Sequence, residues 1–232
     1  MKIGFFHTSP VHIATFDQLF AQPNCKFELV HKVDEQLLAD AIQHGVNEQI
    51  RKQVLAYIRG LADSSCKTIV CTCSTLGAIA EALHIPNVKI YRVDRPMAAK
   101  AVAESHIILM VAVLASTLLP TRELIKDEAN RQDRPVRVQE LVISDAWDYF
   151  LAGDLDGYHQ HIAEAVKANV RELGRCSADL VPETILLAQA SMAGALQYLS
   201  ELEQPVLSSP IACAEFLKNN VGDKSGLGYL QG

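Results

Sequence analysis

The sequence predicts an α/β protein made of two similar halves, each a short, mostly parallel sheet flanked by helices. Three observations carry this prediction. Short apolar runs alternate with stretches of helical periodicity along the 232 residues, the connections between them are short, and one strand–loop–helix segment recurs after half the chain. Strands that alternate with helices form parallel sheets, because each crossover helix packs back on the sheet.

The first half follows this alternation from its first residues. Apolar or β-branched runs predict strands over Lys2–His7, Phe27–Val33, Lys67–Thr72 and Val88–Val93. Helical spacing predicts helices over Pro10–Phe20, Glu35–His44, Glu48–Ala62, Ser74–Leu83 and Pro96–Glu104. Asp34 and Asn47 are candidate caps for the second and third helices, and Gly45 ends the second.

The second half repeats the pattern. Strands are predicted over Ile107–Leu114, Val136–Ile143, Thr184–Ala188 and Val206–Ser208. Helices are predicted over Leu118–Arg131, Ala146–Leu151, Leu155–Leu173, Ser191–Leu202 and Ala212–Asn220.

Composition excludes several classes of protein. The 21 basic and 27 acidic residues give a net charge of −6 without a basic cluster, which argues against nucleic-acid binding. The longest apolar run, Ile107–Leu119, is too short to cross a membrane. Six cysteines are too few for a disulfide framework, and the first residues show no secretory pattern. We therefore expect a cytoplasmic protein with free thiols.

An internal repeat supports the two-half architecture. The segment Thr68–Leu76 resembles Thr184–Met192, which follows it by 116 residues, half the length of the chain. Both segments are an apolar strand, a polar residue and a helix start that carries Ser or Thr.

Polar residues follow four of the predicted strands. In open α/β sheets, ligands bind beyond the carboxyl ends of the strands, and helix N-termini there offer unpaired N–H groups to anions. We therefore expect a small carboxylate to bind in a cleft between the halves, beside His7–Ser9, Cys73–Thr75, Ser116–Thr117 and Gln189–Ser191.

Cys73 is the candidate reactive group. Its place between a strand and a helix N-terminus predicts a lowered thiol pKa, so that it can act as a base or a nucleophile. Cys71, two residues earlier on the same face of the strand, is expected to be a buried, inert thiol, and so are Cys25, Cys66, Cys176 and Cys213.

Together these segments resemble the aspartate/glutamate (hydantoin) racemase superfamily. The resemblance rests on Cys73-Ser74-Thr75 after a strand and on four further segments in the family's order: Ile3–Pro10, Val93–Ala98, Ser116–Thr121 and Pro205–Pro210. It implies a pseudo-symmetric fold, chemistry at a substrate's α-carbon without a cofactor, and a homodimer. It also implies a first domain of residues 1–95 with 210–232, whose last helix returns to pack on it, and a second domain of residues 96–209.

Gln189 departs from the family pattern. Racemases of the family use two cysteines, one on each face of the substrate, and Gln189 stands at the second position. An amide cannot exchange a proton usefully near neutral pH, although it can hydrogen-bond a carboxylate or an enediolate. Three alternatives to symmetric racemisation stay open: a one-cysteine decarboxylase, cis–trans isomerase or lyase of the same superfamily; a covalent thiol mechanism; and a non-catalytic sensor of small carboxylates.

The remaining candidates have less specific signals. His7 is a candidate second acid or base, or a structural histidine. Asp34 and Asp94 are caps or partners of a substrate ammonium group. The candidate substrate-binding residues are Thr8, Ser9, Ser74, Thr75, Ser116, Thr117, Ala190 and Ser191, whose hydroxyls can equally cap helices. No metal, nucleotide or other cofactor is expected, because the sequence has no ligand cluster and no glycine-rich phosphate loop.

Overall fold

The computed structural model describes residues 1–22 and 25–221. Its chain contacts divide the protein into two compact units. We call them unit 1, which comprises Met1–Arg95 and the segment that begins at Pro210, and unit 2, which comprises Pro96–Ser209.

Unit 1 is built on a four-stranded parallel sheet. Its strands are β1 (Lys2–His7), β2 (Glu28–Val33), β3 (Thr68–Cys71) and β4 (Lys89–Arg92), in the order β2-β1-β3-β4. The helices are α1 (Val11–Phe20), α2 (Glu35–His44), α3 (Glu48–Asp63) and α4 (Ser74–Glu81). Asp34 and Asn47 cap α2 and α3 as predicted, since their side chains accept hydrogen bonds from the N–H groups of Leu37 and Ile50.

The two faces of this sheet pack against different helices. Side chains alternate between faces along a strand, so Phe5 and Phe6 of β1 belong to separate apolar clusters. Phe6 packs with Cys71 and with residues of α2, α3 and α4. Phe5 packs with α1 and with Cys213, Ala214 and Leu217 of the last helix, α9 (Ser209–Asn220).

Unit 2 has the same sheet topology. Its strands β5 (Ile107–Ala112), β6 (Arg137–Val142), β7 (Thr184–Leu187) and β8 (Val206–Ser208) run parallel in the order β6-β5-β7-β8. The helices are α5 (Arg95–Glu104), which begins at the last residue of unit 1, α6 (Leu118–Arg131), α7 (Ala146–Leu151) and α8 (Leu155–Cys176). The predicted fold class, two similar parallel α/β halves, is confirmed.

One predicted helix has a different geometry. The segment predicted as an α-helix over Ser191–Leu202 is a 3₁₀ helix, Ala190–Tyr198. Side chains three residues apart line one side of a 3₁₀ helix. Met192, Ala195 and Tyr198 have this spacing, and all three pack on the core of unit 2. The apolar residues of the segment therefore recur every three residues. Over so short a segment, this spacing cannot be told from the 3.6 residues per turn of an α-helix.

The structure also bears on the membrane question. None of the helices in the described ranges is both long enough and apolar enough to cross a membrane.

Candidate active site

Cys73 lies where β3 passes into α4. It is the N-cap residue of α4, its backbone is extended, and only 7% of the residue is exposed. The Thr8 side chain, which follows β1, hydrogen-bonds the Cys73 side chain, and so do the backbone N–H groups of Thr75 and Leu76. The structure thus brings Cys73, Thr8 and Thr75 together, three of the residues that the sequence selected.

The ionisation of Cys73 differs from the prediction. Burial raises the pKa of the Cys73 thiol, and the negative charge of Asp94 raises it further. The hydrogen bonds from Thr8, Leu76 and Thr75 lower this pKa, but by less than the loss of hydration raises it. The expectation of a lowered pKa is therefore wrong for this structure, and Cys73 is a neutral thiol at pH 7.

Asp94 and Arg92 form a buried ion pair beside this thiol. Cys71 pairs with Arg92 across β3 and β4, so Cys73 and Asp94 each lie two residues beyond that pair on neighbouring chain segments. The Arg92 guanidinium donates to both oxygens of Asp94, over 2.6 and 2.8 Å, and Asp94 is fully buried. Arg92 was not among the residues selected from the sequence, and the Arg92–Asp94 pair forms where β4 ends, since β4 covers Lys89–Arg92.

His7 is held by two hydrogen bonds. Its Nδ1 lies 2.8 Å from the Thr72 hydroxyl, and its Nε2 lies 2.8 Å from Nδ1 of His31. The other ring nitrogen of His31, Nε2, lies 3.2 Å from Oδ1 of Asp17. Neither His31 nor Asp17 was among the residues selected from the sequence. Burial lowers the pKa of His7 to about 2, and the neighbouring His12 and His31 lower it as well.

This geometry weakens the case for His7 as the second acid or base. The ring is fully buried and neutral at pH 7, and both of its nitrogens already have partners. Its ring packs with Phe5 and Phe16, on the sheet face away from Cys71. A structural role therefore fits His7 better than a role as an acid or base.

The two buried histidines make a prediction about stability and pH. Burial also lowers the pKa of His12, to about 4. The unfolded chain binds a proton at each histidine near pH 6.5, whereas the folded chain does not until far lower pH. Stability is therefore complete above about pH 6.5 and falls as the pH drops toward 4. At pH 5 the loss is about 2 kcal/mol for each histidine.

Urea unfolding between pH 7 and pH 5 measures this loss. His12→Phe removes one of the two groups and should roughly halve the slope, and His106→Phe, at an exposed position, is the matched control. A stability that is constant over this range contradicts the prediction.

The other candidates in unit 1 have local partners or are partly exposed. The Asp34 carboxylate caps α2 and hydrogen-bonds the hydroxyl of Tyr57, and the latter bond raises the Tyr57 pKa. Ser74 is buried at the first position of α4, whereas Ser9 and Thr75 are half-buried.

Gln189 occupies the place in unit 2 that Cys73 occupies in unit 1. Each lies five residues beyond the first residue of its strand, and each is the N-cap of the helix that follows. The Gln189 Oε1 accepts hydrogen bonds from the N–H groups of Val113, at 2.6 Å, and Leu114, at 3.0 Å. Because both partners are donors, the side-chain oxygen is assigned without ambiguity, and the other end of the amide is the NH₂ donor.

An equivalent contact therefore exists in both units, but different chemical groups make it. The registers pair Ile3 with Thr68 and Ile108 with Thr184, so Thr8 and Val113 are equivalent positions, five residues further on. Thr8 contacts Cys73 through its side chain, and Val113 contacts Gln189 through its backbone N–H. The side-chain oxygen of Gln189 therefore accepts the hydrogen bonds of the N–H groups that follow β5.

Of the remaining candidates in unit 2, Ser191 has a local role. The Ser191 hydroxyl hydrogen-bonds the Tyr158 hydroxyl over 2.9 Å, and His159 contacts the Ser191 carbonyl oxygen, so α8 holds the start of the 3₁₀ helix. Ala190 is buried beside it. Ser116 and Thr117 lie in the short 3₁₀ turn before α6, where the buried Ser116 hydroxyl has no hydrogen-bond partner.

Removing the Gln189 oxygen should destabilise unit 2. Gln189→Met keeps the length of the side chain but leaves two N–H groups without a partner, one of them on the buried Val113. An unsatisfied buried donor costs about 1–3 kcal/mol, so we expect a loss of about 2–4 kcal/mol in the free energy of unfolding. Gln189→Glu keeps the acceptor and should lose less. Equal losses in the two variants contradict this role.

Comparison with known proteins identifies the fold. No family model and no curated protein sequence matches the chain. Solved structures do match: the aspartate racemase of Picrophilus torridus has a TM-score of 0.69 at 13% identity, covering 94% of this chain and 93% of that one. Glutamate racemase from Aquifex pyrophilus has a TM-score of 0.59 at 17% identity, covering 94% and 83%.

A third neighbour extends the range of named substrates. Allantoin racemase from Pseudomonas fluorescens has a TM-score of 0.59 at 15% identity, covering 95% of this chain and 91% of that one. The chain therefore has the fold of the aspartate/glutamate racemases, as the sequence resemblance implied.

Proposed function

We propose that this chain is a cofactor-independent enzyme of the aspartate/glutamate racemase superfamily, which uses Cys73 to transfer a proton at the α-carbon of a small carboxylate or amino-acid-like compound. The single observation that carries the proposal is the placement of Cys73. It is a thiol at the N-terminus of α4, just beyond a central strand, hydrogen-bonded by Thr8 and two backbone N–H groups. The fold and the racemase names of its structural neighbours support this assignment.

To transfer a proton, Cys73 must be able to exist both as a neutral thiol and as a thiolate. At rest Cys73 is neutral, since burial outweighs its hydrogen bonds. When the thiol gives up its proton, the Thr8 side chain and the N–H groups of Thr75 and Leu76 stabilise the thiolate that remains. To remove a proton from the substrate, the thiol must first lose its own proton to solvent, and the same groups stabilise the thiolate that forms.

Gln189 favours a reaction on one face of the substrate. Its oxygen is committed to Val113 and Leu114, and its NH₂ group can only donate hydrogen bonds. Nor does His7 offer a replacement acid, because its ring is neutral and doubly hydrogen-bonded. We therefore favour a one-thiol reaction, namely proton exchange, decarboxylation or isomerisation, over symmetric two-thiol racemisation.

Hydrogen exchange in deuterated water tests the proposal. A panel of small dicarboxylates, hydantoins, N-carbamoyl amino acids and both enantiomers of amino acids is incubated with the protein, and the α-proton signals are followed by NMR. We expect loss of an α-proton signal with at least one compound, and no loss with protein alkylated at Cys73. Exchange that persists after complete alkylation of Cys73 contradicts the proposal, and so does a panel in which no compound is exchanged, decarboxylated or isomerised. Binding without exchange favours the non-catalytic sensor.

A further inference from the structure

The strands β1 and β3 stop exchanging main-chain hydrogen bonds just before Cys73. Their register ends with Phe6 opposite Cys71. In the described part of the chain, the last main-chain hydrogen bond between them runs from the Thr72 N–H to the Phe6 carbonyl oxygen, over 3.0 Å. The hydrogen bonds that join the two chains beyond this point come from side chains.

Two side-chain hydrogen bonds continue the pairing at successive positions. The His7 Nδ1 lies 2.8 Å from the Thr72 hydroxyl. At the next position of each chain, the Thr8 side chain hydrogen-bonds the Cys73 side chain. Successive side chains of a strand point to opposite faces, so the two bonds lie on opposite faces of the sheet, one directly behind the other. The first bond therefore fixes the spacing of the two chains at the place where the second is made.

The bond between His7 and Thr72 lies in a closely held network. His7 is fully buried, and only 2% of Thr72 is exposed. The His7 Nε2 lies 2.8 Å from Nδ1 of His31 on β2, and the His31 Nε2 lies 3.2 Å from the Asp17 carboxylate on α1. The network thus joins three neighbouring strands and a helix behind the thiol.

This bond is compatible with either protonation state of His31. A neutral His31 that donates from Nε2 to Asp17 accepts at Nδ1, so His7 donates to it and accepts the hydroxyl proton of Thr72. A charged His31 donates at Nδ1, so His7 accepts from it and donates to Thr72. The Thr72 hydroxyl then donates to the Phe6 carbonyl oxygen, 3.2 Å away. The connection between the two chains is therefore present in both states.

The position of Thr8 matters for the ionisation of Cys73. Of the hydrogen bonds that lower the pKa of this thiol, the one from Thr8 has the largest effect, and it opposes the effect of burial. Hydrogen bonds weaken steeply when their geometry is distorted. A small displacement of the end of β1 relative to the end of β3 would therefore make the thiolate harder to form.

We propose that His7 and Thr72 are positioning residues for Cys73, because their hydrogen bond holds the ends of β1 and β3 at the spacing in which the Thr8 side chain contacts the thiol. This inference rests on the proposed function, in which Cys73 is the reacting group, and it gives His7 a role other than that of an acid or base. The observation that carries it is the change from main-chain to side-chain pairing one residue before Cys73.

The rate of alkylation at Cys73 tests the inference without requiring turnover. The intact protein is treated with iodoacetamide at pH 8.5, and peptide masses give the rate at Cys73, with the exposed Cys176 as an internal control for the reagent. Thr72→Val removes the hydroxyl but nearly keeps the shape of the side chain, and Thr72→Ser, which keeps the hydroxyl, is its matched control. Thr8→Val removes the direct contact with the thiol.

A second variant of the same bond is His7→Phe. It keeps a ring beside Phe5 and Phe16 but removes both hydrogen bonds of the imidazole. Two variants that break one bond from opposite ends keep the test decisive if either of them fails to fold.

We expect Thr8→Val to slow alkylation of Cys73 about threefold, because losing a hydrogen bond lowers the thiolate population about tenfold while the more basic thiolate reacts faster. Thr72→Val and His7→Phe should slow it by a comparable factor, and Thr72→Ser should react like the wild type. If Thr72 acts through Thr8, the double variant Thr8→Val/Thr72→Val should be no slower than Thr8→Val alone. Cys176 should react equally in all of them.

A merely structural role predicts the opposite direction, since looser packing exposes the buried thiol and speeds its alkylation. Thr72→Val or His7→Phe reacting as fast as the wild type, or faster, overturns the inference. So does Thr72→Ser as slow as Thr72→Val, or a double variant in which the two effects multiply. The hydrogen-exchange assay decides the proposed function separately: if the variants slow alkylation as expected but no compound of the panel reacts, the positioning role stands and the proposed function falls.

Discussion

Asp94→Leu should lower the free energy of unfolding by about 3–5 kcal/mol, because it leaves the Arg92 guanidinium buried without its counter-charge. Arg92→Met should cost a similar amount, since it strands the Asp94 carboxylate instead. The double variant Arg92→Met/Asp94→Leu removes both charges. Buried ion pairs can often be replaced by apolar residues at little cost, so the double variant should be more stable than either single variant.

Chemical denaturation of the four proteins gives the coupling energy of this pair. Arg122→Met serves as the control, because Arg122 pairs with Glu140 at the surface and should be worth less than about 1 kcal/mol. A single variant at Arg92 or Asp94 that costs no more than Arg122→Met would contradict the assignment of a tightly coupled buried pair.

Cys73→Ala should reduce the rate of α-hydrogen exchange by a factor of about 10² to 10⁴, the usual contribution of a positioned acid or base. The substitution removes the only described thiol that Thr8 contacts, at the N-terminus of α4. Cys73 is buried in the same apolar cluster as Cys71, so both alanine variants should lower the melting temperature, while only Cys73→Ala should lower kcat for exchange.

Cys71→Ala is the matched control for this experiment. Cys71 is buried two residues earlier, packs in the core of unit 1, and has a pKa that burial raises. Its removal should lower stability but leave the exchange rate within about tenfold of the wild type, because its thiol stays protonated throughout. If Cys71→Ala and Cys73→Ala lose activity equally, the reactive thiol is not the one assigned here.

The fold could be predicted because its signals are local. The alternation of strands and helices and the caps at Asp34 and Asn47 lie in short stretches of sequence, and each copy of the repeated segment is only nine residues long. The 3₁₀ geometry of Ala190–Tyr198 was missed because its spacing of three resembles an α-helical period over so short a segment.

The chemistry of the site could be predicted only in part. Local sequence placed Cys73 at a helix N-terminus, but the burial that raises its pKa comes from packing by other elements. His7 meets His31 and Thr72, which lie 24 and 65 residues away, so its neutral, doubly bonded state has no local signal. The Gln189 contact with Val113 joins residues that are 76 positions apart, so it has no local signal either.

The stereochemistry of exchange tests the central claim, that one thiol works on one face of the substrate. A single enantiomer of the best substrate is incubated with the wild type in deuterated water, and chiral separation with mass spectrometry follows both enantiomers. The account predicts deuterium at the α-carbon of the original enantiomer, and little or none of its mirror image over many exchange events. Formation of the opposite enantiomer at a rate comparable to exchange would contradict it, because a second proton donor would then have to replace the missing thiol at Gln189.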